Sequence, residues 1–208
     1  MAKPVISCAK NGPFIVRGLE NFIDGKGKRI ETRPAIGLCR CGASKNRPFC
    51  DGSHKDIGFT DDKSPERTPD QVTDYHGRHI TIHNNVLLCA EAQHCHRELG
   101  SVFNENNNPW IDADGDSVER IKTLIAKCPS GALSYSIDGE PMPAVSSEPT
   151  LVVEHNGPYR VSGGVELADT EWCAGASRDH YTLCRCGASR NKPFCDGSHV
   201  RISFNDDT

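Results

Sequence analysis

A 16-residue string occurs twice in this chain, 145 positions apart: CRCGASKNRPFCDGSH from Cys39 to His54, and CRCGASRNKPFCDGSH from Cys184 to His199. The copies differ only at positions 45/190 and 47/192, where Lys and Arg trade places. Each copy carries three thiols and one imidazole in the order C-x-C-x8-C-x3-H. Cys39, Cys41, Cys50 and His54 form one set; Cys184, Cys186, Cys195 and His199 form the other. Soft thiolates joined by one imidazole select zinc or iron–sulfur over calcium or magnesium. Whatever the fold, it must build the same metal-ligating loop twice.

The duplication extends upstream of the ligands. NGPFIVRGLENFID (Asn11 to Asp24) and NGPYRVSGGVELAD (Asn156 to Asp169) keep the same 145-residue offset. Each reads as a turn at Gly-Pro leading into a short alternating strand, Phe14 and Val16 in one, Tyr159 and Val161 in the other. A second strand is expected to end at Leu38 or Leu183, and the ligand loop follows it. A period of this length is too long for a solenoid and means two copies of one domain. The expected domains are 1–60, 66–140 and 150–208, with linkers at Thr60–Pro69 and Gly139–Pro149.

Only 36% of the 208 residues are hydrophobic, with 19 Gly, 13 Pro and a mean hydropathy of −0.53, so no single large core is expected. Small loop-rich modules of this kind usually need a metal or disulfides. Eleven cysteines is an odd number, and C-x-C pairs are too close to staple distant elements. Ligation is therefore favoured over a disulfide framework. A net charge of −4 without a Lys/Arg run excludes a nucleic-acid stripe. The opening MAKPVISCAKNGPF lacks the apolar core of about 7–15 residues that a secretory signal needs. No stretch nears the roughly 18 apolar residues of a membrane span. The expectation is a soluble, cytoplasmic protein that contacts neither nucleic acid nor membrane.

The motif CRCGAS-x3-PFCDGSH resembles the signature of the CDGSH (mitoNEET-like) iron–sulfur domain family, here as a tandem, two-motif bacterial type. The resemblance implies a [2Fe–2S] cluster in each copy. One iron would be held by Cys39 and Cys41 and the other by Cys50 and His54; Cys184, Cys186, Cys195 and His199 would repeat the arrangement. It also implies a fold: family members are homodimers that exchange strands, and one chain with both motifs would form an intrachain pseudo-dimer. The expected class is thus α+β, two small β-rich domains with an inserted ferredoxin-like α+β module and a monomeric chain. The residues are chemically consistent with this. Asp51 and Asp196 suit the N-cap of a helix bearing His54 or His199 in its first turn, and neutral imidazole in place of a thiolate raises a cluster's potential. A structural Cys3His zinc site uses the same ligand types. Lys45, Arg47, Arg190 and Lys192 either dock an acidic partner, raise the potential, or are simply solvated.

Between the repeats, Cys89, Cys95 and Cys128-Pro129 resemble a divergent single-cluster ferredoxin domain. The second ligand of the C-x2-C-x2-C run would fall at Ala92. Three thiols suit a [3Fe–4S] cluster, or a [4Fe–4S] cluster completed by His94 or His96; a cluster-free module with buried cysteines is the alternative. Locally, two strands are expected around His83–Asn85, a helix over Ala90–Leu99, and a second helix capped by Asp116 or Ser117 with Val118, Ile121, Leu124 and Ile125 on one face. Asp112-Ala-Asp-Gly-Asp116 reads as a turn rather than a calcium loop, because Ser117 and Thr123 stand where Gly and Glu are required. Cys8 and Cys173 have no assigned role.

No nucleotide loop or nucleophile elbow is present, and no catalytic residue is expected. The function expected is electron transfer or [2Fe–2S] cluster transfer, with a redox protein or an apo iron–sulfur acceptor as partner. The alternatives are a redox subunit wiring electrons to a partner enzyme, and a structural zinc protein.

Overall fold

A computed structural model describes residues 3–144 and 147–206. Positions 145–146 of the second linker, and the chain ends, lie outside the described residues. The first repeat contributes β1 (Val5–Cys8), β2 (Phe14–Arg17), β3 (Asn21–Asp24) and β4 (Ala35–Leu38). The middle segment contributes β5 (Thr73–His76), β6 (Thr81–Asn84), α1 (His94–Glu98), α2 (Val118–Ile125), β7 (Leu133–Ile137) and β8 (Glu140–Pro141). The second repeat contributes β9 (Thr150–Val153), β10 (Tyr159–Ser162), β11 (Glu166–Leu167), β12 (His180–Leu183) and α3 (Ser198–Arg201). The chain is α+β, rich in strands and poor in helix.

Two sheets are built from the repeats, in the orders β11-β1-β2-β4 and β12-β10-β9-β3. Each holds three strands of its own repeat plus the third strand of the other. β3 runs parallel to β9, pairing Phe22 with Leu151, and β11 runs parallel to β1, pairing Leu167 with Ile6. The period-2 alternation seen in the sequence decides which side chains meet: Phe14 and Val16 of β2, with Tyr159 and Val161 of β10, face inward and are buried. Their aromatic rings meet edge to face, centroids 6.1 Å apart. One core therefore serves both repeats, joining Ile6, Phe14, Phe22 and Leu38 to Leu151, Tyr159, Val161 and Leu183.

The middle segment forms the sheet β5-β6-β7-β8, antiparallel throughout, with α2 packed on β7 and on α1. Ile121, Leu124 and Ile125 are buried as the helical period requires, with Val118 partly buried beside them. Three local expectations are corrected. Val86–Leu88 is a 3-10 helix and not a strand, because the Asn85 side chain accepts from Leu87 N at 3.1 Å and caps a turn. The helix expected over Ala90–Leu99 is confined to His94–Glu98, because Glu91 and Gln93 take φ of 54° and 61°, outside the helical region. β5 was not foreseen, since TDYH offers little apolar alternation.

The middle segment, expected as an insert tethered to one side by its two linkers, instead packs into the repeats. Leu87, Leu88 and Ala132 enter the core shared by the repeats. Asn85 donates to Asp70 Oδ1 (2.9 Å) and to Ala174 O (2.8 Å), and Ser64 N donates to Arg190 O (2.8 Å). The first linker is thereby bonded to the second repeat at Ser64, and Asp70 and Asn85 add further bonds to it.

Candidate metal centres

β4 and β12 end at Leu38 and Leu183 and deliver the first thiol of each set. The loop then folds back on itself: Cys39 N donates to Pro48 O (2.9 Å) and Cys50 N to Gly37 O (2.9 Å), with Cys184 N to Pro193 O (2.8 Å) and Cys195 N to Thr182 O (3.0 Å) in the second copy. Ser44 and Ser189 close each loop on Phe49 O and Phe194 O, at 2.6 and 2.7 Å. The candidate ligand side chains come together two by two. Cys39 Sγ lies 3.6 Å from Cys41 Sγ and Cys50 Sγ 3.4 Å from His54 Nδ1; the second copy gives 3.9 and 3.4 Å. Among the described residues, no three His, Cys, Asp or Glu side chains gather around one point as a single ion would require. A tetrahedral zinc would draw all four donors to within about 3.8 Å of one another.

Gly42 and Gly187 bring the two C-x-C loops against each other. A Cβ on Gly42 would lie 2.4 Å from Cys186 O, and one on Gly187 2.4 Å from Cys41 O. Their φ values of 77° and 82° also suit glycine.

Beneath each loop lies a buried arginine that the sequence reading passed over. Arg40 donates to Gly12 O (2.5 Å), Ala9 O (2.6 Å) and Asp61 Oδ2 (2.6 Å), between the rings of Phe14 and Phe59. Arg185 donates to Gly157 O (2.8 Å) and Glu154 O (2.7 Å), pairs with Asp206 (2.5 Å), and lies over Tyr159 and Phe204. Every member keeps the 145-residue offset. The signal was present in the sequence: Phe59-Thr-Asp61 and Phe204-Asn-Asp206 extend the repeat past the histidine. The exchanged basic residues are engaged too. Arg47 lies 5.9 Å over Phe204, and Lys192, 5.8 Å over Phe59, donates to Ser189 O (2.7 Å). Each ties its loop to the other repeat's tail, while Lys45 and Arg190 stay exposed.

The expected helix after CDGSH forms in the second copy only, as α3, and its N-cap is Gly197. In the first copy residues 53–58 are turns. Asp51 and Asp196 instead hold the loop, accepting from Ser53 N and Lys45 N (3.0 and 2.9 Å) and from Ser198 N and Arg190 N (3.1 and 2.9 Å). The Lys45 N–H, with the Ser53 hydroxyl and N–H, keeps Asp51 well below the usual carboxylate range. In each C-x-C pair the neighbouring S–H stabilises one thiolate, Cys39 in the first copy and Cys186 in the second. Burial pushes the Cys195 thiol up and the His199 imidazole down, favouring the neutral form of each.

Residues 11–55 and 156–200 both match the family described as iron-binding zinc finger, CDGSH type, and residues 75–138 match a divergent 4Fe-4S mono-cluster domain. The chain is also 38% identical over 61 residues to the uncharacterized protein YjdI of Escherichia coli K12, an overlap of 29% of this chain and 80% of that protein; YjdI of strain O157:H7 matches equally. The chain belongs to the CDGSH iron–sulfur family. No solved structure matches it. It is an iron–sulfur protein with two CDGSH domains and a divergent 4Fe-4S domain between them.

In the divergent 4Fe-4S segment, Cys89, Cys95 and Cys128 line one cavity together with His94 and His96. Burial raises Cys89 to about 12 and raises Cys95. His94 Nδ1 lies 3.0 Å from Glu98 Oε1, and His96 stacks on Trp110 at 5.5 Å. Ala92 brings no donor to the cavity. The Asp112–Asp116 carboxylates are used as a turn reading requires: Asp112 accepts from Asp114 N, and Asp116 pairs with Arg120. Cys8 packs on the shared core, and Cys173 is buried beside Asn191. No helix is long and apolar enough to cross a membrane among the described residues.

Proposed function

We propose that the chain binds two [2Fe–2S] clusters through Cys39, Cys41, Cys50 and His54, and through Cys184, Cys186, Cys195 and His199. The observation that carries this reading is the two-by-two spacing of the donors, 3.6 and 3.4 Å within the pairs of the first copy. Two pairs suit two irons, whereas a structural zinc would need one convergent set. When bound, such a cluster supplies a one-electron store that can also be handed on intact. The chain's own residues hold the loops for it. Arg40 and Arg185 pin each C-x-C segment, and Asp51 and Asp196 fix the turn that presents the histidine. No residue is assigned a catalytic role. The working function is that of an electron carrier or [2Fe–2S] donor acting on a redox protein or apo iron–sulfur acceptor in the cytoplasm.

The reciprocal pairing of β3 with β9 and of β11 with β1 supports an intrachain pseudo-dimer, with a ferredoxin-like insert holding a [3Fe–4S] or [4Fe–4S] cluster on Cys89, Cys95 and Cys128. Anaerobic purification followed by iron, sulfide and EPR analysis tests the reading. About four irons and four sulfides from the two motifs are expected; a colourless protein with one zinc per motif would overturn it. Transfer to apo-ferredoxin with loss of colour separates donor from carrier.

A further inference from the structure

Two motifs that agree at all but two positions sit in different surroundings. Cys195 and His199 are 3% and 8% exposed, while Cys50 and His54 are only partly buried. Phe194 and Asn191 are enclosed, whereas Phe49 is half-buried and Asn46 is exposed. The glycine of CDGSH shows the cause most directly, because the sequence around it is the same in both copies and both glycines take positive φ. A Cβ on Gly52 (φ 97°) would meet nothing within 4 Å; on Gly197 (φ 77°) it would lie 2.4 Å from Glu91 Cγ and 3.3 Å from Cys89 O. The cover continues along the middle segment, where Leu87 O lies 3.5 Å from Asn191 Nδ2. The strand feeding the loop records it too: Tyr181, Thr182 and Leu183 of β12 are all buried, whereas β4 keeps the alternation of a half-exposed strand.

We infer that the two motifs are not interchangeable: the 87–91 segment seals the second, which retains its iron, and the first is the port from which iron passes to an outside chelator or thiol acceptor. This rests on the iron–sulfur reading of both motifs. The physical argument is access. A thiolate under a packed segment is reached only when that segment opens locally, and a partly exposed thiolate needs no such opening. The seal lies on the face bearing Cys195 and His199; Cys184 and Cys186 are as buried as Cys39 and Cys41.

The as-isolated full chain is treated with a bathophenanthroline chelator in the presence of iodoacetamide, and Cys50 and Cys195 labelling is followed by peptide mass spectrometry alongside iron loss. Cys50 should label at least about tenfold faster than Cys195, with iron leaving in two phases. In Glu91→Gly, which suits the φ of 54° at that position, Cys195 labelling should speed several-fold while Cys50 is unchanged. Glu91→Ala, which removes only Cγ and the carboxylate group beyond Cβ, should do the same and guards against a backbone effect. Equal labelling of the two cysteines in the parent chain, or a gap that neither variant narrows, would overturn the inference. A chain containing no iron defeats the iron–sulfur reading instead, and the labelling ratio still reports the seal.

Discussion

Tyr159 and Phe14 stand at equivalent positions of the two repeats, yet only one of them has a hydroxyl. Tyr159 Oη reaches across the core to Cys39 O (2.7 Å) and Pro48 O (3.1 Å), so the second repeat braces the first ligand loop and nothing equivalent is returned. Because a phenyl ring already fits this environment at Phe14, Tyr159→Phe should lose the hydrogen bond without a packing defect. The expected cost is about 1 kcal/mol, read as a lower urea midpoint at unchanged slope. Asp61 makes a second residue-scale case. Burial alone would raise its pKa, but bonds from Lys10 and Arg40, with the Arg40 charge, bring it down to about 2. A folded pKa below the unfolded one, about 3.9, means stabilisation that is full above about pH 4 and lost as pH falls toward 2. Asp61→Asn should therefore destabilise by about 2 kcal/mol near neutrality, less than a fully buried pair because the aspartate is partly wetted. In urea titrations the difference from the parent chain should shrink between pH 4 and pH 2.

At the scale of elements, β3 is the strand that most repays attention, since it belongs to one repeat and completes the sheet of the other. Phe22 at its centre is fully buried and packs edge to face on Phe49, centroids 6.2 Å apart, next to Cys50 in sequence. Phe22→Ala should cost about 3–5 kcal/mol by thermal or denaturant unfolding, and should loosen the first motif more than the second. A smaller loss shared equally by the two motifs would show that β3 is not what joins them. β2, β10 and α2 were legible because their periods of 2 and 3.6 match one buried face. Val86–Leu88 and Ala90–Leu99 were misread for a different reason. Apolar and helix-forming residues there answer to a side-chain cap on Asn85 and to positive φ at Glu91 and Gln93, which composition does not reveal.

At the scale of the molecule, β3 and β11 each complete the other repeat's sheet within a single chain, so sedimentation should give the mass of one chain at every concentration; a mass of two chains that falls on dilution would contradict it. The cysteines of the middle segment form a separate set on the border of the second motif. Changing Cys128→Ser should remove about three or four irons per chain and one EPR signal while leaving the two motif signals in place; unchanged iron would mean the segment holds no cluster. The duplication, the two Cys–His motifs and the third group of thiols were readable from the chain alone, because each is written in short covalent spacing that any fold must respect. Tertiary structure decided the rest. It chose which strands are exchanged, placed Asp61 and Asp206 against Arg40 and Arg185, and laid Glu91 over one CDGSH loop while leaving its twin open. Those contacts join residues far apart in sequence, and two loops of nearly identical sequence acquire different surroundings only when a third segment packs against one of them.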